Sequence, residues 1–474
     1  MRPALSQNKA LRMLTLCGLY VAQGVPWGFV TITFAAWLAE DSQGLTTAEI
    51  GPIMAVASLP WSFKFLWGPI MDRLTLKRFG KRRPWIIFAQ TMAILVLGSM
   101  AFFDDLPGMV WTDAQQTSFW KPIYWLVPGP LAGLILLANM FVSIQDVAVD
   151  ALAVDLLEEK ERGIANGLMY GSSYFGTALG GAGLGYVVSQ FGIQAGILGQ
   201  AVILAFIMVL PILFRERPLD GTTAAIPTKH SRTEAASGRD DSPYRAPSNV
   251  DRSTAAIAAV EETVTADSGS LVRDLLRAFS LRATILGVFV ALGVKIGIGV
   301  LTTVFVDYLM KDGGWTQEQY STVTGGYAVL LGLAGSAIGG LLADRLGAKP
   351  VIATTSIIVG LMWILFGLMP NSLGNKSLVT ALLISQEFTF AVLSVGLFSL
   401  FMAVSWPRVA ATQFTTYMAL MNGSTAIGSY LAGVIGESTS IYQVLIIAGV
   451  LQIVMILPVL FIDTRQTRRV LGHH

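Results

Sequence analysis

Long apolar runs alternate with short polar breaks along the 474-residue chain. A helix needs about 20 apolar residues to cross a ~30 Å hydrocarbon core. Twelve runs reach that length, near 12–38, 50–71, 84–103, 129–154, 163–188, 193–214, 281–308, 319–342, 350–370, 378–404, 409–434 and 441–462. The pattern predicts an all-α polytopic membrane protein with twelve membrane helices. The first run is too long for a leader peptide and no small-residue cleavage site closes it, so it reads as retained. One polar stretch, 215–280, interrupts the rhythm and is rich in Ala, Ser, Thr and Pro. It predicts three parts: an N-terminal six-helix bundle (1–214), a cytoplasmic linker disordered over most of its length (215–280), and a C-terminal six-helix bundle (281–474). Within the linker, SLVRDLLRAF (270–279) reads as a solvated tether or a short amphipathic helix on the membrane surface.

Composition agrees with that reading. The chain is 53% hydrophobic and 13% charged, with a mean hydropathy of +0.62; soluble domains carry about twice that charged fraction. With both termini cytoplasmic, 27 of the 32 Lys and Arg residues fall on the inner side. Three (Lys121, Lys311, Lys376) fall outside and two (Lys64, Lys295) within spans. That excess is the positive-inside pattern, and it predicts a multi-pass protein of the cytoplasmic (inner) membrane. A net charge of +2 gives no ground for nucleic-acid binding. The single Cys17 and the three histidines (His230, His473, His474, all outside the spans) supply neither a disulfide nor a metal set. No metal or cofactor is expected, and no phosphate-cradling G-x-x-x-x-G-K-[ST] loop is present.

The two halves echo each other. GPIMDRLTLKRFGKRR (68–83) follows the second run and GGLLADRLGAKP (339–350) the eighth, each with an Asp-Arg pair and a basic end. The fifth and eleventh runs open alike, with ERGIANGLMYGSSYFG (161–176) and WPRVAATQFTTYMALMNG (406–423). Repeated halves are a transporter signature, with the solute site near the midplane at the repeat interface.

The G-x-x-x-D-R-x-G-x-[KR] stretch resembles the loop motif of the major facilitator superfamily; the first copy carries about six extra residues before Gly80-Lys81-Arg82-Arg83. FKFLWGPIMDR (63–73), QDVAVDALAVDLL (145–157), KERG (160–163), VKIG (294–297), QE (386–387) and AATQFTTYMALMN (410–422) resemble the AmpG-like permeases and their acetyl-coenzyme A transporter relatives. The chain departs from that branch at Ile298, where an acid tends to follow the Lys-x-Gly, and at Leu152, where some members carry Trp. The resemblance implies alternating access by two bundles, import of muropeptides or, in other relatives, of acetyl-coenzyme A or siderophores, and cytoplasmic latches at the Asp-Arg loops. Those latches would use Asp72, Arg73, Asp344 and Arg345, with Arg162 and Arg408 at the matching helix starts; a purely topogenic charge cluster is the alternative.

Charges inside the spans are the main site candidates, because an intramembrane ionisable residue is costly and marks function by default. Asp146 and Asp150, four apart, share one helix face. At 1.5 Å per residue, Asp146 lies about 12 Å and Lys64 about 10 Å from the inner ends of their runs. The two acids either face water, binding a proton or a cationic group, or form a fixed pair with Lys64. Asp155 reads as a membrane-edge residue. Lys295 and Glu387 fall on runs that line the cavity in the resembling fold, either taking up a proton or forming a static pair. Tyr20, Gln23 and Trp27 lie on GLYVAQGVPWG, where Gly24 and Pro26 should interrupt or kink the first span. Gln145, Gln413 and Asn422 complete the predicted solute cavity, with interhelical hydrogen bonding an equal alternative for Gln413 and Asn422. Trp111, Trp120 and Trp125 read as interfacial anchors. Gly176, Gly180, Gly181, Gly185, Gly335 and Gly339 form small-xxx-small pairs on spans that lie between the halves in the resembling fold, although ordinary packing within one half would leave the same trace.

The sequence therefore predicts a secondary transporter, coupled to protons, that takes a small polar or anionic solute and works as a monomer in the bilayer. The other weighed class is a membrane-embedded Mg-dependent transferase. Its case rests on a single D-x₃-D-x₄-D spacing with no second acidic cluster facing it, although magnesium usually takes only one or two carboxylates.

Overall fold

The computed structural model describes residues 4–73, 80–111, 127–157, 161–217, 273–369, 371–436 and 439–471. The described residues form helices joined by short turns. Ten segments are single helices long and apolar enough to cross a membrane. In chain order the crossings are α1 Lys9–Leu38, α2 Thr47–Ser62 with its continuation Trp67–Arg73, α3 Arg83–Met100, α4 Pro130–Leu156, α5 Arg162–Ala178 running on to Phe191, α6 Ile193–Leu213, α7 Arg282–Lys311, α8 Gln317–Leu346, α9 Ala348–Leu368, α10 Lys376–Val404, α11 Ala410–Gly436 and α12 Ile441–Phe461. The two crossings beyond the ten are α2, broken at Phe63, and α5.

Local chemistry sets the helix ends. Asn8 accepts from the Leu11 N–H at α1, and Thr46 with Glu49 forms a capping box at α2, satisfying donors that a helix start leaves free. Residues 273–279 are helical, and Ala278 is buried in a cluster with Trp406 and Val409.

Contacts repeat between the halves. α1 packs on α5, α2 on α4, α3 on α4 and α6; in the same order α7 packs on α11, α8 on α10, α9 on α10 and α12. Two further contacts, α2 with α11 and α5 with α8, join the bundles and exchange under the same symmetry. The fold is two pseudo-symmetric six-helix bundles around a shared midline.

The seal between bundles lies toward the face away from the chain ends. A Cβ on Gly51 of α2 would sit 2.6 Å from the Ser429 carbonyl oxygen of α11, and one on Gly181 of α5 would sit 2.8 Å from Gly325 of α8. Only glycine permits such backbone approach. A π turn lies at each α5–α8 contact segment, Leu179–Gly183 and Thr322–Ala328. Between the halves at this level, the Thr47 hydroxyl donates to Asp307 at 2.5 Å and Lys311 donates to the Leu45 carbonyl at 2.6 Å. Lys311 also lies 2.7 Å from Asp307.

Several glycine expectations need correcting. Gly176 and Gly180 admit the α1 backbone, and Gly335 and Gly339 admit α10, so these four serve packing within a half. Gly181 and Gly185 meet the other half, against Gly325 and Ser321. Gly24 likewise faces α5, where a Cβ would lie 2.2 Å from the Ser173 carbonyl oxygen. The helix runs through Pro26 without interruption, and its irregularity follows as a π turn, Phe29–Phe34. Trp120 and Trp125 fall outside the described residues.

Candidate functional site

Two breaks in helix regularity place the two lysines. Pro60 lacks an amide donor, and α2 tightens into a 3-10 turn at Lys64–Leu66 after Phe63. The turn brings Lys64 to α4, where its Nζ lies 3.3 Å from Asp146 Oδ2. Ser143 of α4 donates to the Pro60 carbonyl at 3.3 Å, holding the two helices in that register. One turn along α4, Asp150 accepts a hydrogen bond from the Tyr20 hydroxyl of α1. The sequence left Lys64 two partners, and the structure brings it to Asp146.

In the other half, α7 breaks at Val294–Lys295 and restarts at Ile296. The Lys295 amide, released from the helix ladder, donates to the Ser424 hydroxyl of α11 at 3.0 Å. The Lys295 side chain enters a cavity of about 440 Å³ that Glu387 also lines, with Trp27, Tyr174, Tyr320 and Gln386 among the walls. Lys295 and Glu387 form no ion pair within 4 Å, and neither side chain has a bonded partner among the described residues. The static-pair alternative for these two is therefore not the observed arrangement. Gln386 turns the other way and accepts from the Trp363 indole N–H at 2.9 Å, which fixes α10 against α9.

A second chamber of about 210 Å³ adjoins the first, and Trp27, Tyr170 and Ser173 line both. Tyr20, Gln23, Lys64, Asp146, Asp150 and Asn422 line it, with Trp61 edge-on to Trp27 at 5.8 Å between ring centroids. Gln23 is buried and its amide nitrogen is without a hydrogen-bond partner among the described residues, as is the Trp61 indole nitrogen. Asn422 donates to the Trp61 carbonyl at 3.5 Å.

Two predicted cavity residues sit elsewhere. Gln413 is fully buried between α11, α7 and the turn before α11: it accepts from the Trp406 N–H at 2.7 Å and donates to Thr284 at 3.3 Å. It locks a helix junction and lines neither chamber. Gln145 is fully buried and its amide makes no hydrogen bond among the described residues; it too lines neither chamber. The sequence missed Trp61, Tyr170, Tyr174 and Tyr320. Tyr170 and Tyr174 were visible in principle, since residues four apart share a helix face. Tyr320 carries no local signal.

Polar contacts near the face of the chain ends stay inside one half. Arg12 pairs with Glu161 at 2.6 Å and Arg82 with Asp155 at 3.1 Å in the first bundle. The Arg12 hydrogen bond, ahead of its charge, holds the Glu161 carboxyl below the usual range. Arg408, a predicted cross-half latch residue, pairs at 3.3 Å with Asp274, in the helical end of the linker just before α7, instead. Asp344 and Arg345 are exposed and have no ion pair among the described residues. The Asp72, Arg73 and Arg162 side chains lie outside the described set. Between the halves, polar contact reaches mid-depth, where Tyr174 and Ser336 hydroxyls are 3.3 Å apart.

Comparison with known proteins bears on this geometry. Residues 12–190 match the family model described as Acetyl-coenzyme A transporter 1, and residues 283–473 match the Major Facilitator Superfamily model. The anhydromuropeptide permease of Escherichia coli (strain K12) is 28% identical over 152 residues, 32% of this chain and 26% of that protein. The putative transporter AmpG 4 of Rickettsia felis is 28% identical over 216 residues, 44% of this chain and 47% of that protein. The matched stretches thus span less than half the length of these relatives. Among solved structures, a POT family transporter in complex with 5-aminolevulinic acid superposes with TM-score 0.63 at 14% identity, covering 97% of each chain. The nucleoside transporter NupG gives TM-score 0.61 at 15% identity, covering 95% of this chain and 99% of that one. With the repeated bundles and the interface cavity, these likenesses make the chain similar to the acetyl-coenzyme A transporter model over much of its first half and to the major facilitator superfamily model over its second, with a putative AmpG transporter among its relatives.

Proposed function

We propose that this protein is a proton-driven importer of a small polar or anionic solute, muropeptide-like by kinship, working by alternating access in the cytoplasmic membrane as a monomer. The observation that carries this reading is a cavity between the bundles, sealed toward one face and lined by an unpaired Lys295 and an unpaired Glu387. A transporter that couples two ligands needs a group whose affinity for one depends on the other. A carboxylate and an ammonium facing one chamber fit that need: an anionic solute would draw on Lys295, and Glu387 would bind a proton when that cation is engaged. The basic face would be cytoplasmic, as the Lys and Arg excess implies. The described conformation would then be the inward-facing one, with Asp344, Arg345 and Arg408 disengaged from the other half. In the outward-facing state those residues, with Asp72, Arg73 and Arg162, would close the latch.

The lower chamber divides by role. Lys64 and Asp146 would neutralise each other and fix α2 against α4, while Asp150, Tyr20, Gln23, Trp27 and Asn422 would meet solute. The test is uptake into proteoliposomes of labelled anhydro-muropeptide, acetyl-coenzyme A, a peptide and a siderophore, with and without an imposed pH gradient. Accumulation of one solute that depends on the gradient and is lost in Glu387→Gln is expected. Gradient-driven accumulation by Glu387→Gln at the wild-type level would eliminate that residue as the coupling group.

A further inference from the structure

We propose that the lower chamber is a subsite for a primary ammonium group of the solute, with Asp150 as the carboxylate that receives it. The proposal rests on reading the cavity as the transport site, and it adds a chemical class: a solute carrying both an ammonium and an anionic group.

The charge balance comes first. The chamber is lined by two carboxylates, Asp146 and Asp150, against one cation, Lys64. Lys64 is committed to Asp146 at 3.3 Å. Asp150 has one oxygen engaged by the neutral Tyr20 hydroxyl, and its other oxygen has no partner among the described residues. The chamber therefore carries one uncompensated negative charge when both acids are ionised. Burying such a charge is costly unless something pairs with it, and a cationic group entering the chamber is what would do so.

The walls point the same way. Tyr20, Trp27, Trp61 and Tyr170 all line this small space. Aromatic faces attract cations, more strongly when water is excluded. A carboxylate in a chamber lined by four aromatic side chains favours an ammonium over a second carboxylate or a phosphate. The neighbouring chamber sets an unpartnered Lys295 against an equally unpartnered Glu387, so it would accept an anionic end once Glu387 carries a proton. Since Trp27, Tyr170 and Ser173 form a common wall, a solute could place its ammonium at Asp150 and its anionic end toward Lys295. The arrangement is polar and fixes which end of the solute enters which half.

The experiment titrates the detergent-purified protein by tryptophan fluorescence, since Trp27 and Trp61 line the site. Three probes of equal chain length serve: ε-aminocaproate, its N-acetyl derivative without the ammonium, and its amide without the carboxylate. Wild type should bind ε-aminocaproate about tenfold or more tightly than the N-acetyl probe. Asp150→Asn should erase that ratio, weaken the amide probe by a similar factor and leave the N-acetyl probe unchanged, while Asp150→Glu retains the preference. Equal binding of the free and blocked amines by wild type, a step that needs no variant, overturns the proposal. So does a ratio that survives Asp150→Asn, or failure of both ammonium probes to bind into the low millimolar range. No gradient enters this assay, so ammonium selectivity without any vesicle uptake defeats only the transport reading. Uptake without ammonium selectivity defeats only this one.

Discussion

In the first bundle Lys64 lies 3.3 Å from Asp146 and Tyr20 bonds Asp150, whereas in the second Lys295 and Glu387 share a chamber with no bonded partner for either side chain. Both sets sit on membrane helices, and both were legible as intramembrane charge. They differ in what removes the cost of burial. In the first set Lys64 already does so for Asp146, an interaction that favours one packing of α2 on α4, while Asp150 keeps one oxygen open to its chamber. In the second, water or solute in the cavity must do it, so the charges can respond to what enters. A charge satisfied by its own fold is a poor sensor, and an unsatisfied one facing a cavity is a good one. The sequence singles out five charges within the runs, Lys64, Asp146, Asp150, Lys295 and Glu387, and does not show which of them are already matched.

The comparison can be broken experimentally. The largest effect is expected at the unpaired set: Glu387→Gln should reduce gradient-driven uptake to the level of protein-free vesicles while leaving the melting profile in detergent close to wild type. A large drop in stability would mean that Glu387 is structural and the contrast is false.

Next comes the paired set. Lys64→Ala leaves Asp146 without its partner, and losing one member of a buried pair costs ~3–5 kcal/mol. Because the two side chains retain 18% and 10% exposure, about 2 kcal/mol is expected here. The double variant Lys64→Ala/Asp146→Ala should recover most of that loss in a detergent unfolding assay. Absence of recovery would break the assignment of the pair as a static element.

A smaller effect is expected from Tyr20→Phe, which removes one hydrogen bond to a carboxylate and should cost about 1.5 kcal/mol. Differential scanning fluorimetry can resolve it, and no change would show that the Tyr20–Asp150 bond contributes nothing to the fold.

The smallest effect sharpens the contrast at the membrane edge. The Glu161 carboxyl is held below its ordinary range by Arg12. Its contribution is therefore present at neutral pH and disappears as pH falls through that lowered value. Wild type should exceed Glu161→Gln in melting temperature at neutral pH by a small margin that closes in strong acid. A margin that grows on acidification would contradict the assignment.

How much was readable depends on range. The all-helical membrane fold and its repeated halves follow from run length, repeat spacing and motif. Even so, the runs could not reveal that α2 breaks at Phe63 or that π turns mark the α5–α8 contact, because those depend on neighbouring backbones. Glycine spacing announced close approach without saying to which helix, and four of the six glycines expected between the halves turned out to pack within one. Gln413 looked like a cavity residue because a polar group on a membrane helix is conspicuous in sequence. Its two hydrogen-bond partners lie at Trp406 and Thr284, and Thr284 is far away along the chain.

The sequence by itself determined that the chain must live in a bilayer as paired helical repeats. A backbone in hydrocarbon has to satisfy its own hydrogen bonds, and length with hydropathy is enough to say where. The tertiary structure decided which charges cancel, which glycines seal the bundles and which aromatic side chains line the chamber that holds Asp150. Those outcomes depend on distances of a few ångströms between residues up to hundreds of positions apart, and Coulomb and hydrogen-bond energies change over that scale.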